Sequence, residues 1–138
     1  MQGMIVHRGD GGLRVLLQFQ RVQQAGDPHA FRFEPQDYIL PTEGGGSPSA
    51  HFPWTQEVMA DLSAVREPGR DPALLQRMGE LLRRFVLQAG WERHEEQIAV
   101  ALAEGRRVVL TVRSSAAELY ALPWELLPLK SGQFIGEV

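Results

Sequence analysis

The sequence contains no cysteine. That absence excludes disulfides, thiolate metal sites and a cysteine nucleophile within this chain. Long apolar runs are also missing: none approaches the roughly 20 residues that cross a bilayer as a helix. The start, Met1-Gln2-Gly3-Met4, lacks the basic-then-apolar plan of a secretory signal. There is no excess of positive charge either. A formal net charge of −3 over 138 residues offers no electrostatic ground for binding nucleic acid or an anionic membrane. No internal repeat is visible. These absences predict a cytoplasmic protein without a cofactor. What remains is an apolar fraction of 43%, which excludes wholesale disorder and suits one domain with a real core.

Residues 1–40 read as a β meander. Ile5-Val6-His7-Arg8 and Leu13 to Phe19 flank Gly9-Asp10-Gly11-Gly12, a hairpin signal because such turns need positive φ. In the second run Val15, Leu17, Phe19 and Arg21 point one way and Arg14, Leu16, Gln18 and Gln20 the other. The first set is the more apolar and is expected inward. Gly26-Asp27-Pro28 marks a turn into a third strand at Phe31-Arg32-Phe33-Glu34. Residues 41–54 read as a flexible loop centred on Gly44-Gly45-Gly46-Ser47-Pro48-Ser49.

Residues 55–105 read as helical. Thr55 to Val65 places Val58, Leu62 and Val65 on one face. Asp71-Pro72 then opens the strongest helix, with Asp as N-cap, Pro in the first turn and Gly90 beyond the end. Its stripe of Leu74, Leu75, Met78, Leu81, Leu82, Phe85 and Val86 follows the 3.6-residue period, and Gln76, Arg77, Glu80, Arg83 and Arg84 fill the opposite face. Trp91 to Glu104 is a weaker helix with Trp91, Ile98 and Leu102 inward. Val108 to Val112 is apolar on both faces and predicts a central strand.

The candidate chemistry is sparse. Gly44-Gly45-Gly46 lacks the Lys-Ser or Lys-Thr pair of a phosphate-binding loop and has no apolar strand leading into it. His94-Glu95-Glu96-Gln97-Ile98 begins like a zinc-peptidase helix, yet Ile98 stands where the second histidine must be. A solvated helix face is the expectation there. His7, His29, His51 and His94 have no sequence neighbours that suggest a site. Arg66, Arg70, Arg83-Arg84 and Arg106-Arg107 are interspersed with acids, which reads as solvated faces.

The most distinctive stretch follows that last strand: Glu118-Leu119-Tyr120-Ala121-Leu122-Pro123-Trp124-Glu125-Leu126-Leu127-Pro128. Pro123 fixes its own φ and pushes Leu122 out of the helical region, so a change of direction and a short helical turn over Trp124 to Leu127 are expected. Trp124 reads as a packing anchor. Glu125, a charge inside an apolar run, reads as half-buried and in need of partners.

An apolar strand, then Ala116-Ala117-Glu118-Leu119, then Leu122-Pro123-Trp124-Glu125-Leu126-Leu127, then Gly132-Gln133-Phe134-Ile135, resembles the N-terminal half of a CHAT domain. CHAT domains are caspase-like cysteine peptidases, often attached to helical repeat arrays. The resemblance implies an α/β fold: a small N-terminal antiparallel sheet, two to three packing helices, then the first strands of a caspase-like core. Residues 106–138 would supply the core strand, the Leu122–Leu127 corner and the start of another strand from Phe134 to Val138. CHAT enzymes place a His and a Cys after later strands, so no catalytic residue carries over to this chain. Leu122, Pro123, Trp124, Glu125, Leu126 and Leu127 carry over as structural motif residues only.

Two functions follow. The chain is the non-catalytic N-terminal portion of such a peptidase, with a second half supplying thiolate and histidine; or it is a stand-alone interaction module of the same descent. Both imply a protein partner: the missing catalytic half, a second copy or a regulatory protein. The apolar end, without a polar tail, fits the first.

Overall fold

The computed structural model describes residues 6–7, 12–22, 33–40, 48–69, 71–129, 131 and 133–137. Its strands are β1 (Val6–His7), β2 (Leu13–Arg21), β3 (Gln36–Ile39), β4 (Ser49–Phe52) and β5 (Val108–Ser114). Its helices are α1 (Gln56–Val65), α2 (Pro72–Leu87) and α3 (Trp91–Ala103). The fold is α/β, as the pattern of elements predicts.

β2 organises the sheet. It pairs antiparallel with β1 through Val6–Val15 and His7–Arg14, and with β3 through Gln20–Ile39 and Arg21–Tyr38. On its other side β5 runs parallel to it, from Leu13–Val108 to Phe19–Ser114. β4 pairs antiparallel with β3. The expected meander and core strand are therefore one mixed sheet that shares β2.

The inward set on β2 is as the alternation predicts: Leu13, Val15, Leu17, Phe19 and Arg21 are all buried. The α2 stripe packs on them, with Phe85 stacked on Phe19 at a centroid distance of 5.4 Å and edge-on to Tyr38 and Phe52. Asp71 caps α2 by accepting from the Ala73 N–H at 2.9 Å, and Thr55 caps α1 by accepting from Val58 N–H at 3.2 Å. Gly90, at φ +85°, lets the chain pass directly from α2 into α3. Val58, Leu62 and Val65 of α1 are buried, as are Trp91 and Ile98 of α3, whereas Leu102 is half-buried.

Four expectations are corrected. Phe33 and Glu34 precede a strand that begins only at Gln36; Phe31, Arg32 and the 26–28 turn lie outside the described residues. The segment read as loop contains β4, whose Ala50 and Phe52 are buried in alternation; Gly44 to Gly46 lie outside the described residues. A glycine-rich neighbourhood hid a two-residue-period pattern only four residues long. β5 is not buried on both faces: Val108, Leu110 and Val112 are half-buried while Val109, Thr111 and Arg113 are exposed. Among the described residues it pairs with β2 alone and stands at the edge of the sheet that they form. Finally, Phe134 makes only an isolated bridge to Pro128, and a 3-10 turn over Ile135–Glu137 replaces the expected strand.

Candidate functional site

β5 ends at Ser114, and the chain turns through a 3-10 turn at Ala117–Ala121 into a second at Trp124–Leu126. Leu122 between them is extended, at φ −77° and ψ 140°, as a residue before proline must be. Leu122, Leu126 and Leu127 are buried, Pro123 and Trp124 are half-buried, and Glu125 is exposed. Trp124 stacks on Phe19 at 5.7 Å and donates its indole N–H to the Leu119 carbonyl at 2.8 Å.

The charge that needed explaining is Glu118, not Glu125. Glu118 is fully buried, and Arg21, 4% exposed at the end of β2, reaches it with two parallel N–H donors. Arg21 Nε donates to Glu118 Oε2 at 3.0 Å and Nη2 donates to Oε1. Tyr38 of β3 donates its hydroxyl to the same carboxylate at 2.7 Å, and Gln36 adds an amide N–H at 3.3 Å. Trp54 closes the chain by donating its indole N–H to the Tyr38 oxygen at 3.0 Å. Burial, then the bond to Glu118, pushes the Tyr38 phenol well above its usual range, so it stays a neutral donor. A planar guanidinium with a bidentate carboxylate is the geometry that satisfies two buried charges together. The result is a clamp that ties β2 and β3 to the corner after β5. Arg66, just beyond α1, donates to the Ala121 carbonyl at 3.0 Å and fastens the corner from a further side.

The clamp was legible in part. Arg21 ends an otherwise apolar inward face, and an inward arginine demands a buried anion. Nothing in the sequence says which carboxylate answers it, since 97 positions separate the two.

The histidines divide. His7 lies on β1, and His29 is outside the described residues. His51 stands on β4 directly across from Asp37, its Nδ1 2.7 Å from the Asp37 carboxylate. Gln88, just beyond α2, holds the His51 backbone from the other side, accepting from its N–H at 2.9 Å and donating to its carbonyl at 3.0 Å. The amide of Gln88 thus pairs with the β4 edge as a strand peptide group would. A small pocket of about 230 Å³ beside this pair is lined by Val22, Glu34, Pro35 and Gln36, and among these described residues there is no hydroxyl or thiol. An imidazole oriented by a carboxylate suits proton transfer, but among the described residues the pocket brings it no hydroxyl or thiol to activate.

On α3 the solvated face expected at His94-Glu95 is corrected. Glu95 is buried and takes a bidentate pair from Arg83 of α2, at 2.8 and 3.1 Å. Arg83, expected on a solvated face, is half-buried by this pairing, and the carboxylate raises its pKa further. His94 is half-buried against the Trp91 ring, and burial pushes it down to about 4, with Arg93 adding to the effect and Gln97 opposing it. Among the described residues no three His, Asp or Glu side chains converge to hold a metal ion.

A cleft of about 540 Å³ lies between α2 and the segment after the corner. Gln76, Glu80 and Arg83 line one wall and Pro128, Leu129 and Phe134 the other. Among the described residues that line it there is no hydroxyl, thiol or imidazole. No helix among the described residues is long and apolar enough to cross a membrane. No protein-family model, curated protein or solved structure matches the chain.

Proposed function

We propose that this chain is the structural N-terminal portion of a CHAT caspase-like cysteine peptidase, inactive by itself, working in the cytoplasm with a partner that carries the histidine and thiol. The observation that carries this reading is the placement of β5. It lies parallel to β2, its outer edge is unpaired among the described residues, and a rigid corner built from the motif residues follows it. A parallel strand with an open edge, clamped at its C-terminal end, is what a larger α/β core would extend. The clamp and the Trp124 stack orient the strand; they do no chemistry.

A non-catalytic interaction module is the second reading. It is favoured by the large apolar side chains exposed around the same edge, Val109 at 39% and Tyr120 at 55%. In this reading the partner is a regulatory protein or a second copy.

The coding sequence downstream of codon 138 separates the two. An apolar strand ending in His and a later one ending in Cys support the peptidase; a stop codon there leaves the module. The chain alone, incubated with a peptide library and a thiol-directed probe, is expected to show neither turnover nor labelling. Cleavage that tracks with the pure chain would overturn the proposal, because no thiol is present to do it.

A further inference from the structure

Hydrogen-bond alternation decides what the outer side of β4 offers. The Leu40 N–H donates to the Pro48 carbonyl at 2.9 Å, and the Val22 N–H donates to the Asp37 carbonyl at 3.1 Å. Asp37, directly across from His51, thus turns its carbonyl towards the end of β2. The even-numbered residues of β4 turn their backbone groups towards β3, and those of Ser49, His51 and Pro53 face away from it. β4 stands at the end of the strand order that the described residues form, so this is the side on which a further strand would pair with it.

That side is filled at its centre. The Gln88 amide accepts from the His51 N–H at 2.9 Å and donates to the His51 carbonyl at 3.0 Å. The same nitrogen donates to the Arg84 carbonyl at 3.3 Å, one of the carbonyls that the last turn of α2 leaves open. A side-chain amide has two N–H donors and one carbonyl, and here each has a partner. The amide is therefore held from the end of α2 in the place of an incoming peptide group. Pro53 closes the next position, since it has no N–H and its carbonyl accepts from the Thr55 N–H at 2.7 Å. Proteins blunt strand edges with devices of this kind.

We infer that Gln88 is a guard on the outer side of β4, and that without it β4 pairs with β4 of a second copy of this chain. Once the His51 groups are released, Ser49 and His51 make two successive positions of a ladder. An antiparallel, two-fold pairing about Ala50 sets Ser49 of each copy opposite His51 of the other. It forms main-chain hydrogen bonds at both positions without using Pro53. Ala50 at the axis is small enough for the close approach of a pair that exchanges no hydrogen bonds. A second copy is the occupant because this register is self-complementary and sets no like charges opposite each other. The guard acts whether or not the chain belongs to a peptidase, since it involves neither β5 nor the corner after it.

The test compares the full chain with Gln88→Met, which keeps the length of an exposed side chain and removes its hydrogen bonds. Light scattering over a dilution series gives the self-association constant, and amide exchange and chemical shifts report on Ser49 and His51. In dilute solution the His51 amide should exchange about tenfold faster in Gln88→Met than in the parent. Displacing one guard should cost the parent about tenfold in association, and a dimer displaces two. Gln88→Met should therefore self-associate about a hundredfold more tightly, with shifts that move with concentration at Ser49 and His51. Ser49→Lys in the same background puts a charge on the strand and should return the parent's behaviour, which a merely structural role for Gln88 would not give. Gln88→Glu keeps the acceptor for the His51 N–H and loses the donors, so it should fall between the two. A Gln88→Met chain that stays monomeric at millimolar concentration, or a His51 amide that exchanges equally fast in both proteins, would overturn the inference. So would association that survives Ser49→Lys, shifts centred away from β4, or a parent that already dimerises through β4.

Discussion

Replacing Glu118 with glutamine should lower the unfolding free energy by about 3–5 kcal/mol. The substitution keeps the shape but takes from Arg21, 4% exposed, the Glu118 carboxylate charge that pairs with it. It also weakens the bonds from Tyr38 and Gln36 that end on the same carboxylate. Domains of this size are stable by only about 5–15 kcal/mol, so the loss is a large share of the whole. Urea unfolding followed by tryptophan fluorescence measures it, because Trp54 and Trp124 both adjoin the clamp. The midpoint should fall with the slope unchanged. Tyr38→Phe is the milder control. Glu118 keeps Arg21, and the cost should be about 1–3 kcal/mol from one lost bond and an indole N–H without its acceptor. Changing both charges together, Arg21→Met with Glu118→Leu, should cost less than Glu118→Gln alone, since no unpaired charge remains. A Glu118→Gln protein within about 1 kcal/mol of the parent would refute the reasoning. It would show that solvent reaches Arg21 and screens it.

Three other substitutions test neighbouring features. Gly79→Ala should destabilise by about 1–3 kcal/mol despite the better helix propensity of alanine, because the new Cβ would meet the Leu126 carbonyl oxygen at 2.6 Å; thermal melting gives the sign. Trp124→Ala should cost about 2–4 kcal/mol through lost stacking on Phe19 and Phe85 and the lost bond to Leu119, and a melting point within a degree or two of the parent would show that the ring does not anchor the corner. His94 has its pKa lowered from 6.5 to about 4, so between these values the unfolded chain binds more protons and stability falls as the pH drops from 6.5 towards 4. His94→Gln should flatten that slope relative to the parent in urea titrations across the window, and identical slopes would mean that the ring is solvated in the folded state.

Local pattern was enough for the helices and for the apolar faces that α1 and α2 bury, though not for the burial of Glu95 on α3. The caps at Thr55 and Asp71, the α2 stripe and the alternation along β2 are short-range facts, set by φ/ψ preferences and by periods of 3.6 and 2. The extended Leu122 before Pro123 and the short turn over Trp124–Leu126 belong with them, since proline dictates its own φ and limits its neighbour. The sequence by itself also ruled out thiol chemistry, because a missing side chain cannot be supplied by folding. Tertiary structure decided the rest. Whether Val108–Val112 is central or at an edge depends on what lies beside it, and an apolar strand has no local mark for either state. β4 emerged from a segment read as loop because its partner, β3, supplies the ladder that four residues cannot hold alone. Glu118 and Arg21 are ordinary charges along the chain, and only the pairing of β2 with β5 brings them together out of water. That burial turns a common acidic residue into the one that holds the corner.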